Sequence, residues 1–271
     1  MFLELFNLFT AYVLTFVGVF SFWRVNDWID FYKPIVLFIA GYILGIVLFW
    51  LVSDIYGRII SLKKEYKKVD KFSRFLLTNW MRYTCNHGLV LVKFINKDLM
   101  PKNERFLLVQ NHASRFDPMI VNGYFPTSDI AFITKPSNYK IPLAKRLMPS
   151  LFYQAINRED PIQSLEVMKN SISLIENNIT SIGVYPEGTR HIDGELGEFH
   201  EGVFNICLKA KCPLVVVKTT NTQDVAKNFP RHYTRVTLKI IEVVPYEQMA
   251  NMTAKSLSEH VHELMGKPIE A

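Results

Sequence analysis

Two stretches without a charged residue, Leu5–Trp23 and Pro34–Ser53, constrain this chain more than any other feature. They are 19 and 20 residues long, near the roughly 20 apolar residues that a helix needs to cross a bilayer. A backbone in lipid must satisfy its own polar groups, so such runs are expected to fold as helices. The link Arg24–Lys33 carries two acids and two bases, and Trp23 and Trp28 stand at or near its edge, where interfacial aromatics belong. Gly41 and Gly45 form a small-xxx-small pair that lets two helices approach closely. A cleaved signal peptide is not expected: there is no basic lead and no A-x-A site, and a second apolar run follows at once. The rival geometry is a hairpin lying in the membrane interface without crossing it.

After Ser53 come Arg58, Lys63, Lys64, Lys67, Lys68, Lys71 and Arg74, against Asp54, Glu65 and Asp70. This excess marks the cytoplasmic side, which puts both termini in the cytosol. Following directly on a membrane segment, it favours contact with anionic headgroups, the alternative being a solvated helix face. The organisation expected is a membrane-anchoring hairpin over 1–54, a basic amphipathic helix or linker over 55–87, and a catalytic domain over 88–271. Within the linker a helix is expected over 55–84, with Phe72, Phe75, Leu76, Trp80 and Tyr83 on one side.

Composition adds two limits. The net charge of +6 allows nucleic acid, anionic lipid or a phosphorylated substrate as partner and does not choose among them. Nucleic acid is disfavoured because the basic cluster abuts a membrane segment and lacks interleaved stacking aromatics. The three cysteines, Cys85, Cys207 and Cys212, include no CxxC pair, which argues against a disulfide framework or a zinc site and fits a reducing compartment.

Beyond residue 88, short apolar runs alternate with helical patterns. Strands are expected over 88–95, 106–109, 130–134, 153–157, 181–185, 213–219 and 232–244. Helices are expected after Pro118 and over 142–147, 160–177, 201–211 and 252–265. The helix opened by Asp160-Pro161 has Ile162, Leu165, Met168, Ile172 and Ile175 as its core stripe. Alternation of this kind argues α/β, with a mostly parallel (mixed) sheet flanked by helices, the last long strand being the candidate antiparallel one. No dinucleotide fingerprint, P-loop or metal-ligand cluster is present, so no metal or cofactor is expected.

The stretch Arg105–Pro118 holds the chemistry. An apolar strand ends in a polar loop with Asn111, His112, Ser114 and Asp117, and Asp117-Pro118 reads as the N-cap and first position of a helix. A histidine with a carboxylate five residues on is a general base with its orienter, although packing and capping explain the same residues. Ser114 is a cap or, less readily, a nucleophile. His112, Lys135, Arg158 and Arg190 all fall at strand carboxyl ends, where open α/β sheets bind ligands. Three cations beside a histidine point to a phosphate. The other histidines, His191 and His200 among them, read as surface or packing residues.

Four blocks in order resemble the glycerolipid acyltransferase family, most like its bacterial 1-acyl-sn-glycerol-3-phosphate acyltransferases. They are Asn111-His112-Ala113-Ser114-Arg115-Phe116-Asp117, the family's N-H-x4-D; Lys135 through Ala155-Ile156-Asn157-Arg158; Pro186-Glu187-Gly188-Thr189-Arg190, its E-G-T-R; and Lys211-Cys212-Pro213-Leu214-Val215-Val216-Val217. The resemblance implies acyl transfer from acyl-CoA or acyl-ACP to the sn-2 hydroxyl of a lysophosphatidic acid, at the cytosolic face of a membrane. His112 would be the base and Asp117 its orienter. Lys135, Arg158 and Arg190 would hold the phosphate, while Glu187, Gly188 and Thr189 shape the loop. The alternatives are another lysolipid or glycerol-3-phosphate as acceptor, a thioester or lipid hydrolase, and a non-catalytic membrane-binding module. The chain departs from the pattern at Phe199-His200-Glu201-Gly202, where the family often has Phe-Lys-x-Gly, and in lacking a glycine-led apolar run before Arg158.

Overall fold

In the computed structural model, residues 1–22, 32–63, 65–125 and 129–268 are described, and they form two compact units, Met1–Leu62 and Lys63–Ala271. The link carrying Trp23 and Trp28, and Lys64 of the basic cluster, lie outside the described residues.

The first unit is two helices, α1 (Phe2–Phe22) and α2 (Tyr32–Ser61), both long and apolar enough to cross a membrane. They touch along the glycine face. A Cβ on Gly41 would meet the Ala11 Cα at 2.6 Å, and one on Gly45 would lie 2.8 Å from Asn7 Oδ1. Thr10 Oγ1 donates to the Gly41 carbonyl at 3.0 Å, a bond that only this approach allows.

The helix expected over 55–84 is two pieces. The apolar helix α2 continues to Ser61, with Arg58 paired to Asp54 at 2.7 Å inside it. A new helix, α3 (Lys71–His87), begins where the Asp70 carboxylate accepts the Ser73 N–H. Lys63 and Lys67 stand four residues apart, a like-charge spacing that opposes helical continuation. The buried face of α3 is Ser73, Leu76, Leu77, Asn79 and Cys85, so of the expected apolar side only Leu76 is fully covered.

The second unit continues with β1 (Val90–Ile95), β2 (Leu107–Gln110), α4 (Asp117–Tyr124), β3 (Ile130–Thr134), α5 (Pro142–Leu147), β4 (Gln154–Ala155), α6 (Pro161–Glu176), β5 (Ser181–Val184), α7 (Asn205–Ala210), β6 (Leu214–Thr220), α8 (Val225–Asn228), β7 (Thr234–Val244), α9 (Tyr246–Met249) and α10 (Ala254–Gly266). The strands make one seven-stranded sheet in the order β1-β7-β6-β2-β5-β3-β4. Five neighbours, β6 through β4, run parallel. β7 is antiparallel to β6, and β1 is parallel to β7, so two strands oppose the rest. The central strands are buried on both faces, which is why Leu107-Leu108-Val109 and Leu214-Val215-Val216-Val217 read as unbroken apolar runs. Helices α3 and α4 pack together, α6 packs on α7 and β5, and α10 packs on β6.

Three expectations change. The strand expected over 153–157 shrinks to Gln154–Ala155, because the next backbone groups are taken by α6: Gln163 Oε1 accepts the Asn157 N–H at 2.8 Å and Ser164 Oγ donates to the Asn157 carbonyl at 3.0 Å. The helix expected over 201–211 is a 3-10 turn, Glu201–Phe204, followed by α7. On α6 the expected stripe is only half core, since Ile162 and Leu165 are 81% and 58% exposed while Val167, Ser171 and Ile175 are buried.

Candidate active site

Each parallel strand delivers a polar segment to the same sheet edge. β2 ends at Gln110 and passes directly into Asn111-His112. Next to it, β5 ends at Val184 and passes into Tyr185–Arg190. β3, beside β5, ends at Thr134 and leads to Lys135. β4, beside β3, leads to Arg158, with the Ile156 N–H still bonded to the Thr134 carbonyl at 2.9 Å. Parallel pairing therefore turns four distant segments into neighbours along one carboxyl edge.

The loop after β2 is pinned on every side. Asn111 clamps β6, its Nδ2 donating to the Thr219 carbonyl at 2.9 Å and its Oδ1 accepting the Thr219 N–H at 2.8 Å. The His112 N–H donates to Glu187 Oε1 at 2.5 Å, and its carbonyl accepts the His191 N–H at 2.8 Å. The second Glu187 oxygen accepts the Gly197 N–H at 2.9 Å. Glu187 is 4% exposed, and burial pushes its carboxyl above the usual range against the pull of those two N–H groups.

Asp117 is where the expectation needs correcting. It is not an N-cap but the first residue of α4, and its side chain turns back into the loop. One oxygen, Oδ2, accepts the Ala113 N–H at 2.8 Å, the Ser114 N–H at 2.7 Å and His112 Nδ1 at 2.8 Å. The other, Oδ1, is buried and has no hydrogen-bond partner among the described residues. A carboxylate oxygen taking two backbone N–H groups is an acceptor, so Nδ1 carries the proton and Nε2 is left as the basic nitrogen. The His112 side chain is 17% exposed. Ser114 Oγ accepts the Phe116 N–H at 3.2 Å, which occupies it in the turn.

Gly188 adopts φ +70°, a left-handed conformation that suits glycine. A Cβ there would stand 2.9 Å from Arg158 Nη1 and 2.9 Å from His200 Nε2, so both side chains lie over this glycine. Packing over Gly188 desolvates Arg158 in part and lowers its pKa, and a guanidinium stays charged regardless. Thr189 and Arg190 are exposed beyond it, and Thr189 Oγ1 lies 3.5 Å from His191 Nε2. Lys135 is exposed at the end of β3. Among the described residues, no carboxylate forms an ion pair with Lys135, Arg158 or Arg190.

Three residues at this edge are given no role at the site by the sequence pattern. His191 stands 3.9 Å from Glu187 Oε2, a pairing that its position four residues on could have suggested. His200 is tied to the loop by its N–H on the Pro186 carbonyl at 2.9 Å. Tyr185 stacks on the His112 ring at 4.2 Å between centroids and 25° between planes. Its buried hydroxyl has no hydrogen-bond partner among the described residues, and burial together with the charge of Asp117 raises its pKa well above the usual range.

Residues 91–219 match the model of the acyltransferase family. A 1-acyl-sn-glycerol-3-phosphate acyltransferase of Limnanthes douglasii is 29% identical over 44% of this chain and 42% of its own length. One of Saccharomyces cerevisiae is 21% identical over 70% of this chain and 65% of its own. The chain thus spans about two-fifths of the length of the former relative and about two-thirds of the latter. The crystal structure of a 1-acyl-sn-glycerophosphate acyltransferase from Thermotoga maritima superposes with a TM-score of 0.59 at 19% identity, covering 97% of this chain and 95% of that one, which establishes a shared fold.

Proposed function

We propose, from the premise that residues 91–219 are a domain of the acyltransferase family, that this protein transfers a fatty acyl group from a thioester to the sn-2 hydroxyl of a 1-acyl-glycerol-3-phosphate. The observation that carries the reading is the His112–Asp117 pair, with Nδ1 held at 2.8 Å and Nε2 free to accept a proton at the sheet edge that also bears the three cations. His112 Nε2 takes the proton of the acceptor hydroxyl as that oxygen attacks the thioester carbonyl. Asp117 holds the ring in the Nδ1–H tautomer and offsets the charge of the imidazolium. When the tetrahedral intermediate collapses, the carbon–sulfur bond breaks and the departing thiolate takes the proton from Nε2, which restores the base. Arg158 and Arg190, with Lys135, grip the acceptor phosphate and so bring the hydroxyl into reach.

The donor is acyl-CoA or acyl-ACP, and each is anionic, as a basic chain with net charge +6 favours. The helices α1 and α2 hold the protein at a membrane, where lysolipid acceptor and diacyl product both reside, with the catalytic unit on the cytosolic side. A hydrolase built on the same pair is disfavoured because water needs no phosphate grip.

The test is acyl transfer by the full chain from radiolabelled acyl-CoA and acyl-ACP, each with lysophosphatidate, other lysophospholipids, glycerol-3-phosphate or no acceptor. The reading expects labelled phosphatidate that depends on lysophosphatidate. Label released as free fatty acid regardless of acceptor would establish the hydrolase instead.

A further inference from the structure

The His112 imidazole has two partners of different kinds. Asp117 Oδ2 holds one ring nitrogen at 2.8 Å, and with the Cβ attachment this sets the ring approximately. A hydrogen bond tolerates bending, so the ring can still rock about χ2, and a contact on its face narrows the direction of Nε2. The only ring stacked on it among the described residues is Tyr185, at 4.2 Å and 25°. Tyr185 is itself backed by Phe132, with centroids 5.6 Å apart and planes at 21°. Phe132 in turn occupies the space over Gly183, where a Cβ would meet its ring carbons at 2.6–2.8 Å. The order is therefore glycine on β5, phenylalanine on β3, tyrosine after β5 and histidine after β2, each resting on the one before.

We propose that Tyr185 is a positioning residue whose ring face, backed by Phe132 over Gly183, sets the plane of the His112 imidazole and so aims Nε2. The role belongs to the ring face alone; among the described residues the hydroxyl has no hydrogen-bond partner. The inference rests on His112 being the base of the reaction proposed above.

That division of labour separates two variants. Tyr185→Phe keeps the face and removes only the hydroxyl, so on this proposal kcat stays within about 3-fold of the parent. Tyr185→Leu removes the face but stays apolar. Its kcat falls about 10- to 100-fold, the scale of a misplaced reacting group, while KM for acceptor and donor each change by less than about 3-fold. A Tyr185→Leu protein with parental kcat overturns the proposal, as does a Tyr185→Phe protein that loses as much as Tyr185→Leu.

A measurement on the unaltered full chain guards against a variant that does not fold. In micelles with 15N-histidine, the His112 Cε1 proton is expected upfield of the other histidines through the ring current of Tyr185, with the proton resident on Nδ1. An unshifted resonance overturns the stack. An inactive parent with the upfield resonance intact rejects the acyl-transfer reading and leaves the stack standing, so the two failures are distinct.

Discussion

At the scale of single residues, the site depends on which atom of Asp117 does what. One oxygen serves the imidazole and two loop amides together, so the carboxylate is both the orienter of His112 and the keystone of its loop. If His112 is the base, as proposed, replacing it by Ala is expected to lower kcat by about 10²–10⁴ with the circular dichroism spectrum unchanged. Asp117→Asn retains an amide oxygen for the Ala113 and Ser114 N–H groups but has no full charge for the imidazolium. Its kcat is expected to fall at least about 10²-fold while the melting temperature moves little, and parental turnover would remove Asp117 from the mechanism. Gly188→Ala tests the cation grip. At φ +70° a methyl is strained, and it would press on both Arg158 and His200 at 2.9 Å. Titration with lysophosphatidate should then show KM raised about 10-fold, more than kcat is lowered.

At the scale of elements, α6 shows how a pattern and a packing part company. Its apolar spacing predicts a stripe from Ile162 to Ile175, and the spacing is real. The helix packs on β5 and α7, and Val167, Ser171 and Ile175 of its later turns are buried while Ile162 and Leu165 are exposed. Stability measurements should divide the stripe accordingly. The double variant Ile162→Ser, Leu165→Ser is expected to unfold within about 0.5 kcal/mol of the parent per site. Ile175→Ala, which empties a buried position, should cost about 2–5 kcal/mol. Equal losses from the two halves in urea unfolding would contradict this packing. The start of α6 also braces the site. Asp160 caps the helix by accepting the Ile162 and Gln163 N–H groups, and Gln163 and Ser164 tie down the backbone just before Arg158.

For the molecule as a whole, burial sets a limit at alkaline pH. The thiols of Cys85, Cys207 and Cys212 are each pushed from 9.0 up to about 12 by burial, and Tyr139 from 10.0 up to about 12. For each the folded chain favours the protonated form, and the unfolded chain releases the proton first. Their contribution to stability is therefore whole below pH 9 and is lost as pH rises toward 12. Urea midpoints should hold level up to about pH 9 and fall beyond it, less steeply once a buried cysteine is replaced by Ala; a flat profile through pH 11 would refute it.

What the sequence determined by itself was whatever depends on neighbours in the chain. Charge-free runs of bilayer length, apolar strands closed by polar loops, and a histidine and an acid five residues apart are local facts, and they were enough for the α/β class and for singling out His112 and Asp117 as candidates. Tertiary structure decided what depends on approach across the fold. Parallel pairing of β2, β5, β3 and β4 brought Arg158 over Gly188 and closed the Glu187 carboxylate on the His112 amide. It also laid Tyr185 against the imidazole and turned Asp117 from cap to clamp. The physical reason is that a hydrogen bond between residues 75 apart, like the ring contact of Tyr185 with His112, is fixed by sheet register, and register exists only once the strands have met.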